Sequence, residues 1–285
     1  MEDFLNYWDE VFASWVENGE MPPSESYWKE QEKIEFYPEL MPEPYLGDPH
    51  HSSLVILNYN PCAHKYDLDS EKGNLDYKKD PVHHSGLDDP LRMCYHYAHN
   101  YRQSVAKGGY LGRFSDPMYA SSILTRGGKC WWCPRLEWIK ELIPESPNIP
   151  FALELCGWHS NKWVGIKYTK PLLSTLRHRL SAVIEESINC SDLGIGLCVG
   201  AQWGATVLPY FGYKDVTAEV MGLNDYSRGW DPLGMKRNYR ILRNDNQTYI
   251  INTWLSRGYK KMDVPTPEYR PIEKEIINKI RKEKE

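Results

Sequence analysis

The chain has 285 residues, of which 41% are hydrophobic, and a formal net charge of −5 at pH 7. This length allows one large domain or two small ones, and the apolar content is enough for a sizeable core. No apolar run of about 18 residues is present, and the acidic N-terminus lacks the basic flank of a signal peptide, so we expect no membrane segment. Seven irregularly spaced cysteines favour a reducing cytoplasm over a disulfide framework.

Charge is distributed unevenly along the chain. Residues 1–46 hold twelve acidic residues and two lysines, a balance of −10, whereas the remainder holds 27 acidic and 32 basic residues, a balance of +5. A basic body behind an acidic segment is compatible with a polyanionic ligand. The 11 tryptophans and 20 tyrosines are many for this length. Core filling is the expected use for most of them, and stacking on nucleic-acid bases is the alternative.

Hydrophobic spacing and turn residues predict the elements of the first half of the chain. In order, they are a helix over 2–18, an extended stretch over 22–46 with a short helix near 24–33, a strand over 52–58, a long polar stretch over 62–90, a helix over 91–108 and an irregular region over 109–134. So long a polar stretch within a compact domain indicates a functional or mobile loop.

The second half alternates strands with helices. It is predicted to contain a short helix over 135–143, a strand over 151–155, a helix over 170–188, a strand over 193–199, a helical segment near 204–211, strands over 215–221, 237–243 and 247–251, and a final helix over 271–285. This order predicts an α/β fold, a three-layer α/β/α domain with a short, mostly parallel four-stranded central sheet. We expect this domain over 47–262, with an N-terminal helical and extended addition over 1–46 and a C-terminal helix over 263–285.

Four of the predicted strands end in polar or glycine-containing turns. These turns lie at 58–61, 154–159, 200–202 and 252–257. If the strands are parallel and adjacent, their carboxyl ends meet at one edge of the sheet, where α/β proteins bind ligands. For the first turn alone, an Asx turn that merely ends a strand is the plainer interpretation.

The order of these turns resembles that of the uracil-DNA glycosylase superfamily. That family's first strand ends in Gly-Gln-Asp-Pro or Gly-Ile-Asn-Pro-Gly, and the similar run here is Asn58-Tyr59-Asn60-Pro61-Cys62. Glu154 falls where the family's second strand carries a residue that reads the base, and Gly200-Ala201-Gln202 is similar to its small-residue turn. The run over 252–257 looks like the family's Asn-Pro-Ser-Gly-Leu-Ser-Arg with one residue missing. The likeness spans roughly residues 47–262.

The sequence also departs from the family pattern. Asn58 replaces a glycine, and Ala63 stands where the family has a histidine, with His64 following. The long insertion over 62–90 is a further difference. The resemblance implies a glycosylase-like fold and a monomeric, cofactor-free enzyme that acts on a nucleotide flipped out of DNA.

Glycosylase chemistry assigns roles to several side chains. Loss of the base passes through an oxocarbenium-like sugar, so the enzyme must extrude the base, place a water and stabilise charge. A carboxamide does not titrate usefully, and the resemblance implies that Asn60 holds the attacking water. Asn252 is expected to donate to the base carbonyl that gains charge. The residues expected to grip the flanking phosphates, or otherwise to form a solvated turn, are Ser256, Arg257, Lys260 and Lys261.

The base-binding residues are expected to be Tyr59, Cys62, Glu154 and His159, although His159 is alternatively a phosphate contact or a solvated turn residue. An ionised Glu154 only accepts hydrogen bonds, which suits the exocyclic amine of cytosine. Cys62 stands where uracil-specific members place a tyrosine that blocks C5 substituents, so this side of the base is open. Together they favour a C5-modified cytosine, and bacterial anti-phage glycosylases that remove glucosylated hydroxymethylcytosine are similar in kind. Alternatively, Glu154 is a buried structural acid paired with Arg177 or Arg179.

Other interpretations stay open at this stage. Cys130 and Cys133 have the spacing of metal ligands, and Cys94 with His96 or His99 would complete a four-ligand site. A single Cys-x-x-Cys is a weak signal, so no metal is expected. The chain is alternatively a uracil-type repair glycosylase, a nucleic-acid-binding protein that has lost catalysis, or another α/β enzyme acting on a nucleotide. No Gly-x-Gly-x-x-Gly or Walker-type sequence supports the last.

Overall fold

The computed structural model describes residues 1–18, 20–38, 42, 44–46, 49–59, 135, 137–146, 150–160, 166–224, 229–255 and 265–285. The polar stretch over 62–90, the helix over 91–108 and the irregular region over 109–134 lie outside these residues. The chain divides into two compact units. The first unit includes residues 1–48, Tyr59 and residues 152–172, and the second includes 49–58, 132–151 and 173–285. No helix in the described ranges is both long and apolar enough to cross a membrane.

The first unit begins with helix α1 (Glu2–Asn18), as the sequence predicts. Four buried residues share one face of this helix at helical spacing, namely Phe4, Trp8, Val11 and Trp15. The short helix predicted near 24–33 is a tighter 3-10 turn over Pro23–Trp28, which two prolines begin. Strand β1 (Tyr45–Leu46) then pairs antiparallel with β3 (Phe151–Glu154).

A five-stranded mixed arrangement forms the centre of the second unit. Its strands in chain order are β2 (Val55–Asn58), β4 (Ile195–Val199), β5 (Lys214–Asp215), β6 (Arg237–Arg243) and β7 (Tyr249–Leu255). Their spatial order is β2-β4-β7-β6-β5. Strands β2, β4 and β7 are parallel, whereas β6 and β5 add to the edge in antiparallel orientation. The predicted number of strands, four, was therefore too low, because β6 and β5 extend the sheet beyond its parallel strands.

Helices cover both faces of this sheet, so the second unit is a layered α/β arrangement. One face packs against α2 (residues 137–142), α5 (Thr217–Met221) and α6 (Arg270–Lys284). On the other face Gly196 lies against Ile188 of α3 (Lys170–Cys190), where a β-carbon on Gly196 would be 2.7 Å from the Ile188 Cδ1 atom. Burial on both faces explains why β2 and β4 are continuous apolar runs.

The strand predicted over 215–221 is mostly wrong. Only Lys214–Asp215 is strand, and α5 follows at once. The Asp215 carboxylate accepts the Thr217 backbone N–H at 3.0 Å and the Thr217 hydroxyl at 2.7 Å, which starts a helix. Gly222, with φ of 68°, ends that helix in the left-handed conformation.

Candidate functional site

Three of the strands that lead into the predicted turns end at one edge of the second unit. The turn predicted over 252–257 starts later than expected, because β7 continues through Leu255. Strands β2, β4 and β7 are parallel neighbours, with Leu57 beside Cys198 and Cys198 beside Asn252. Their carboxyl ends therefore lie together, as expected for strands of one parallel group. Strand β6 runs the other way, so its first residue, Arg237, lies opposite Leu255 at this same edge.

The backbone that leads into Asn60 is held at two successive carbonyl groups. The indole N–H of Trp203 donates to the buried Asn58 carbonyl at 3.1 Å. In the first unit, the backbone N–H of Cys156 donates to the Tyr59 carbonyl at 2.9 Å. The structure thus brings Tyr59 beside the turn that follows Glu154. Asn60 itself and Cys62 lie outside the described residues.

Glu154 and His159 both belong to the first unit, on backbone that the N-terminal segment holds. Glu154 is 8% exposed, and its N–H donates to the Pro44 carbonyl at 2.9 Å. The half-buried His159 accepts the Tyr37 N–H at its backbone carbonyl, at 3.0 Å. These two predicted base-reading residues therefore flank one turn over residues 155–158.

Asn252 is turned inward rather than toward the sheet edge. Its side chain is 0% exposed, and Nδ2 donates to the Gly200 carbonyl at 2.8 Å and to the Cys198 carbonyl at 3.3 Å. Two carbonyl acceptors identify this atom as nitrogen, and they use both amide hydrogens. Asn252 thus ties β7 to the turn after β4, and donation to a base would require one of these bonds to break.

A π-helical segment after β4 contacts residues of the two neighbouring strands, β2 and β7. Helical segment α4 spans residues 201–210, and its Trp203–Val207 portion is π-helix. Two residues of this π-helical segment make close contacts: Trp203 with Asn58, and Gly204 with the carboxamide of Asn252. Such segments occur frequently at functional sites. Sequence analysis missed both residues, and the only available signal was a glycine inside a helical pattern.

Arg240 is a third residue that sequence analysis missed. It lies opposite Asn252 on β6, and its guanidinium donates to the Gly204 carbonyl at 2.9 Å. The same group forms an ion pair with Asp215 at 2.9 Å and lies 5.2 Å from the centre of the Trp254 ring. Gly229 packs against this indole, where a β-carbon would be 2.7 Å from the ring. Arg240 therefore holds Trp254 against the protein.

The two buried cysteines near these turns, Cys156 and Cys198, are poor nucleophiles because burial favours the protonated thiol. Burial raises the pKa of the Cys198 thiol, although Asn252 and Arg240 act in the opposite direction. Burial likewise raises the pKa of Cys156, and the negative charges of Glu25 and Glu154 act in the same direction. A nucleophilic cysteine needs a lowered pKa and access to solvent, which neither residue has.

Several predicted residues lie outside the described ranges. They are Ser256, Arg257, Lys260, Lys261, and the metal candidates Cys94, His96, His99, Cys130 and Cys133. Within the residues that the structure describes, no group of three or more His, Cys, Asp or Glu side chains is arranged to hold a metal.

Comparisons of this chain with protein-family models, with curated proteins and with solved structures found no match.

Proposed function

We propose that this chain is a DNA glycosylase that hydrolyses the N-glycosidic bond of a flipped-out base and leaves an abasic site. The proposed base is a C5-modified cytosine such as glucosylated hydroxymethylcytosine, and the proposed setting is anti-phage defence. The observation that supports the reaction class is the parallel order β2-β4-β7, which starts three polar turns at one sheet edge.

The proposed catalytic step depends on Asn60. Its side-chain oxygen holds the water that attacks the sugar once the base begins to leave. The two hydrogen bonds to the Asn58 and Tyr59 carbonyls support this role, because they restrict the backbone immediately before Asn60. The phosphate contacts are assigned to Ser256, Arg257, Lys260 and Lys261, and DNA is the proposed partner.

Base recognition is assigned to Glu154, Tyr59, Cys62 and His159. The burial of Glu154 supports this assignment, because a poorly hydrated carboxylate gains most from a matched donor such as an exocyclic amine. For Asn252 we propose a structural role in place of the donation to the base that was expected from sequence. Since both of its amide hydrogens are used within the protein, we assign it to holding β7 and the turn after β4 together.

The deciding experiment offers the purified protein four DNAs that contain uracil, cytosine, hydroxymethylcytosine or glucosylated hydroxymethylcytosine. Hot alkali then converts abasic sites into strand breaks. Breaks confined to a modified cytosine support the full proposal, and breaks at uracil alone retain the reaction but reject the roles of Glu154 and Cys62. Salt-sensitive DNA binding without breaks favours a binding protein on this fold.

Two substitutions test the proposed residues. Asn60→Ala should abolish strand breaks and spare DNA binding, whereas Asn189→Ala, at an exposed position of α3, should change neither. Glu154→Gln should shift the preference among the four DNAs, because the amide presents a donor where the carboxylate only accepts. Full activity of the Asn60 variant contradicts its catalytic role, and an unchanged preference makes Glu154 structural.

A further inference from the structure

A fully buried carboxyl group lies in the first unit, far along the chain from the predicted site residues. Glu25 belongs to the 3-10 turn over Pro23–Trp28, and its side chain is 0% exposed. Acidic side chains are almost never fully buried unless they are partnered, because burial removes their hydration. The partners of Glu25 therefore explain its position.

Four aromatic side chains donate hydrogen bonds to the carboxylate of Glu25. Tyr7 and Tyr27 donate through their hydroxyl groups, Tyr27 at 3.1 Å to Oε1. The indole N–H groups of Trp28 and Trp158 each donate to Oε2 at 3.1 Å. These donors come from α1, from the 3-10 turn and from the turn after β3. One carboxylate thus joins three separate parts of the first unit.

Further bonds from the N-terminal segment hold the two ends of the turn over 155–158. At one end the Pro44 carbonyl accepts the Glu154 N–H at 2.9 Å. At the other end the Tyr37 N–H donates to the His159 carbonyl at 3.0 Å, and Phe36 forms an antiparallel bridge with Ser160. Within this turn, the Trp158 indole N–H donates to the Glu25 carboxylate.

We propose that Glu25 is a positioning residue for base recognition. By holding Trp158, it sets the backbone that joins Glu154 to His159, the two residues assigned to the base. The consequence for base preference rests on the proposed function, whereas the positioning step rests on the contacts alone.

Glu25→Gln is the informative substitution because it keeps the size of the side chain. Glutamine has one acceptor oxygen where glutamate has two. Its NH2 group would therefore face N–H or O–H donors that the second carboxylate oxygen now accepts. Glu32→Gln is the matched control, since Glu32 is an exposed acid of the same segment. If the Glu25 variant does not fold, Tyr7→Phe removes one donor and leaves the carboxylate in place.

Two measurements together test the proposal. Hydrogen exchange at the Tyr37, Glu154 and Cys156 amides should become about tenfold faster in Glu25→Gln, with β7 amides unchanged. The ratio of cleavage rates between modified-cytosine and uracil DNA should fall in the same variant. Neither quantity should change in Glu32→Gln, and Tyr7→Phe should show a smaller change in the same direction.

Two results overturn the proposal. Unchanged exchange at the three amides shows that Glu25 does not position the turn. Faster exchange with an unchanged cleavage ratio shows that the turn does not control base preference. If the unsubstituted protein cleaves none of the four DNAs, the proposed function fails separately, and the positioning step is judged on hydrogen exchange alone.

Discussion

The indole N–H of Trp203 donates to the backbone carbonyl of Asn58 at 3.1 Å, across 145 residues of sequence. Trp203→Phe keeps an aromatic ring but leaves this buried carbonyl without its donor. We expect a loss of about 1–3 kcal/mol in the free energy of unfolding, measured by urea denaturation. Trp230→Phe, at a half-buried tryptophan away from Asn58, is the control. Equal stability of the two variants contradicts this prediction.

Gly204→Ala should destabilise the protein because the space beside Gly204 is already filled. A β-carbon there would lie 2.9 Å from Cγ of Asn252 and closer still to its Oδ1 atom. Overpacking of this kind costs about 1–3 kcal/mol. Adding Asn252→Ala removes the clash, so the double variant should lose less stability than the sum of the two single variants. Simple additivity in a double-mutant cycle means that the two residues do not compete for space.

Asn252→Asp separates a structural role from a base-contacting role. Aspartate has no N–H to offer the Gly200 and Cys198 carbonyls, so its oxygens would face two acceptors. We expect a loss of at least about 2 kcal/mol in the free energy of unfolding, and no comparable loss in Asn189→Asp. A variant with full stability and no strand-cleaving activity supports donation by Asn252 to the base instead.

Glu273 should make stability depend on pH. Burial raises the pKa of Glu273 above its ordinary value of 4.5, although the Trp138 N–H at 2.9 Å and Arg270 lower it. The folded state therefore holds this proton more tightly than the unfolded chain does. Its stabilising contribution is full below the ordinary pKa and is lost as pH rises through the raised pKa.

The comparison uses urea unfolding from pH 4.5 upward. The unfolding free energy of the unsubstituted protein should fall relative to that of Glu273→Gln as pH rises. Glu275→Gln, at an exposed acid of the same helix, should keep the pH dependence of the unsubstituted protein. Parallel pH profiles for the unsubstituted protein and Glu273→Gln count against this prediction.

The cysteines should differ sharply in reactivity. Cys190 is exposed, whereas Cys156 and Cys198 are buried and their pKa values are raised by that burial. Among these three cysteines, iodoacetamide at neutral pH should therefore modify Cys190 first, as read by peptide mass spectrometry. In urea all three should react at similar rates. Fast modification of Cys198 in the folded protein would show that the turn after β4 opens readily.

Local patterns predicted the elements that have a clear hydrophobic period. The helix α1 was predicted with its observed bounds, and the apolar face of α3 is buried as expected, including Leu176, Val183 and Ile188. The short β5 strand and helix α5 were confused, because Asp215 starts the helix through side-chain bonds to Thr217. Apolar spacing does not record such a bond.

For the candidate site, sequence order indicated a mostly parallel sheet, and strands β2, β4 and β7 are indeed parallel neighbours. It did not predict that the Asn252 side chain is buried against Gly204. An asparagine that follows an apolar run has the same appearance in sequence whether its amide contacts a ligand or a backbone carbonyl. Only the position of the neighbouring α4 segment distinguishes the two cases.

By itself, the sequence determined the α/β class and the strands that end in polar turns, because side-chain periodicity and turn chemistry act over a few residues. Tertiary structure decided which residues meet across the chain, including Trp203 with Asn58 and Glu25 with Trp158. These contacts depend on chain closure over more than a hundred residues and on the packing of whole elements. No local pattern encodes that packing, so such partners become visible only in the folded molecule.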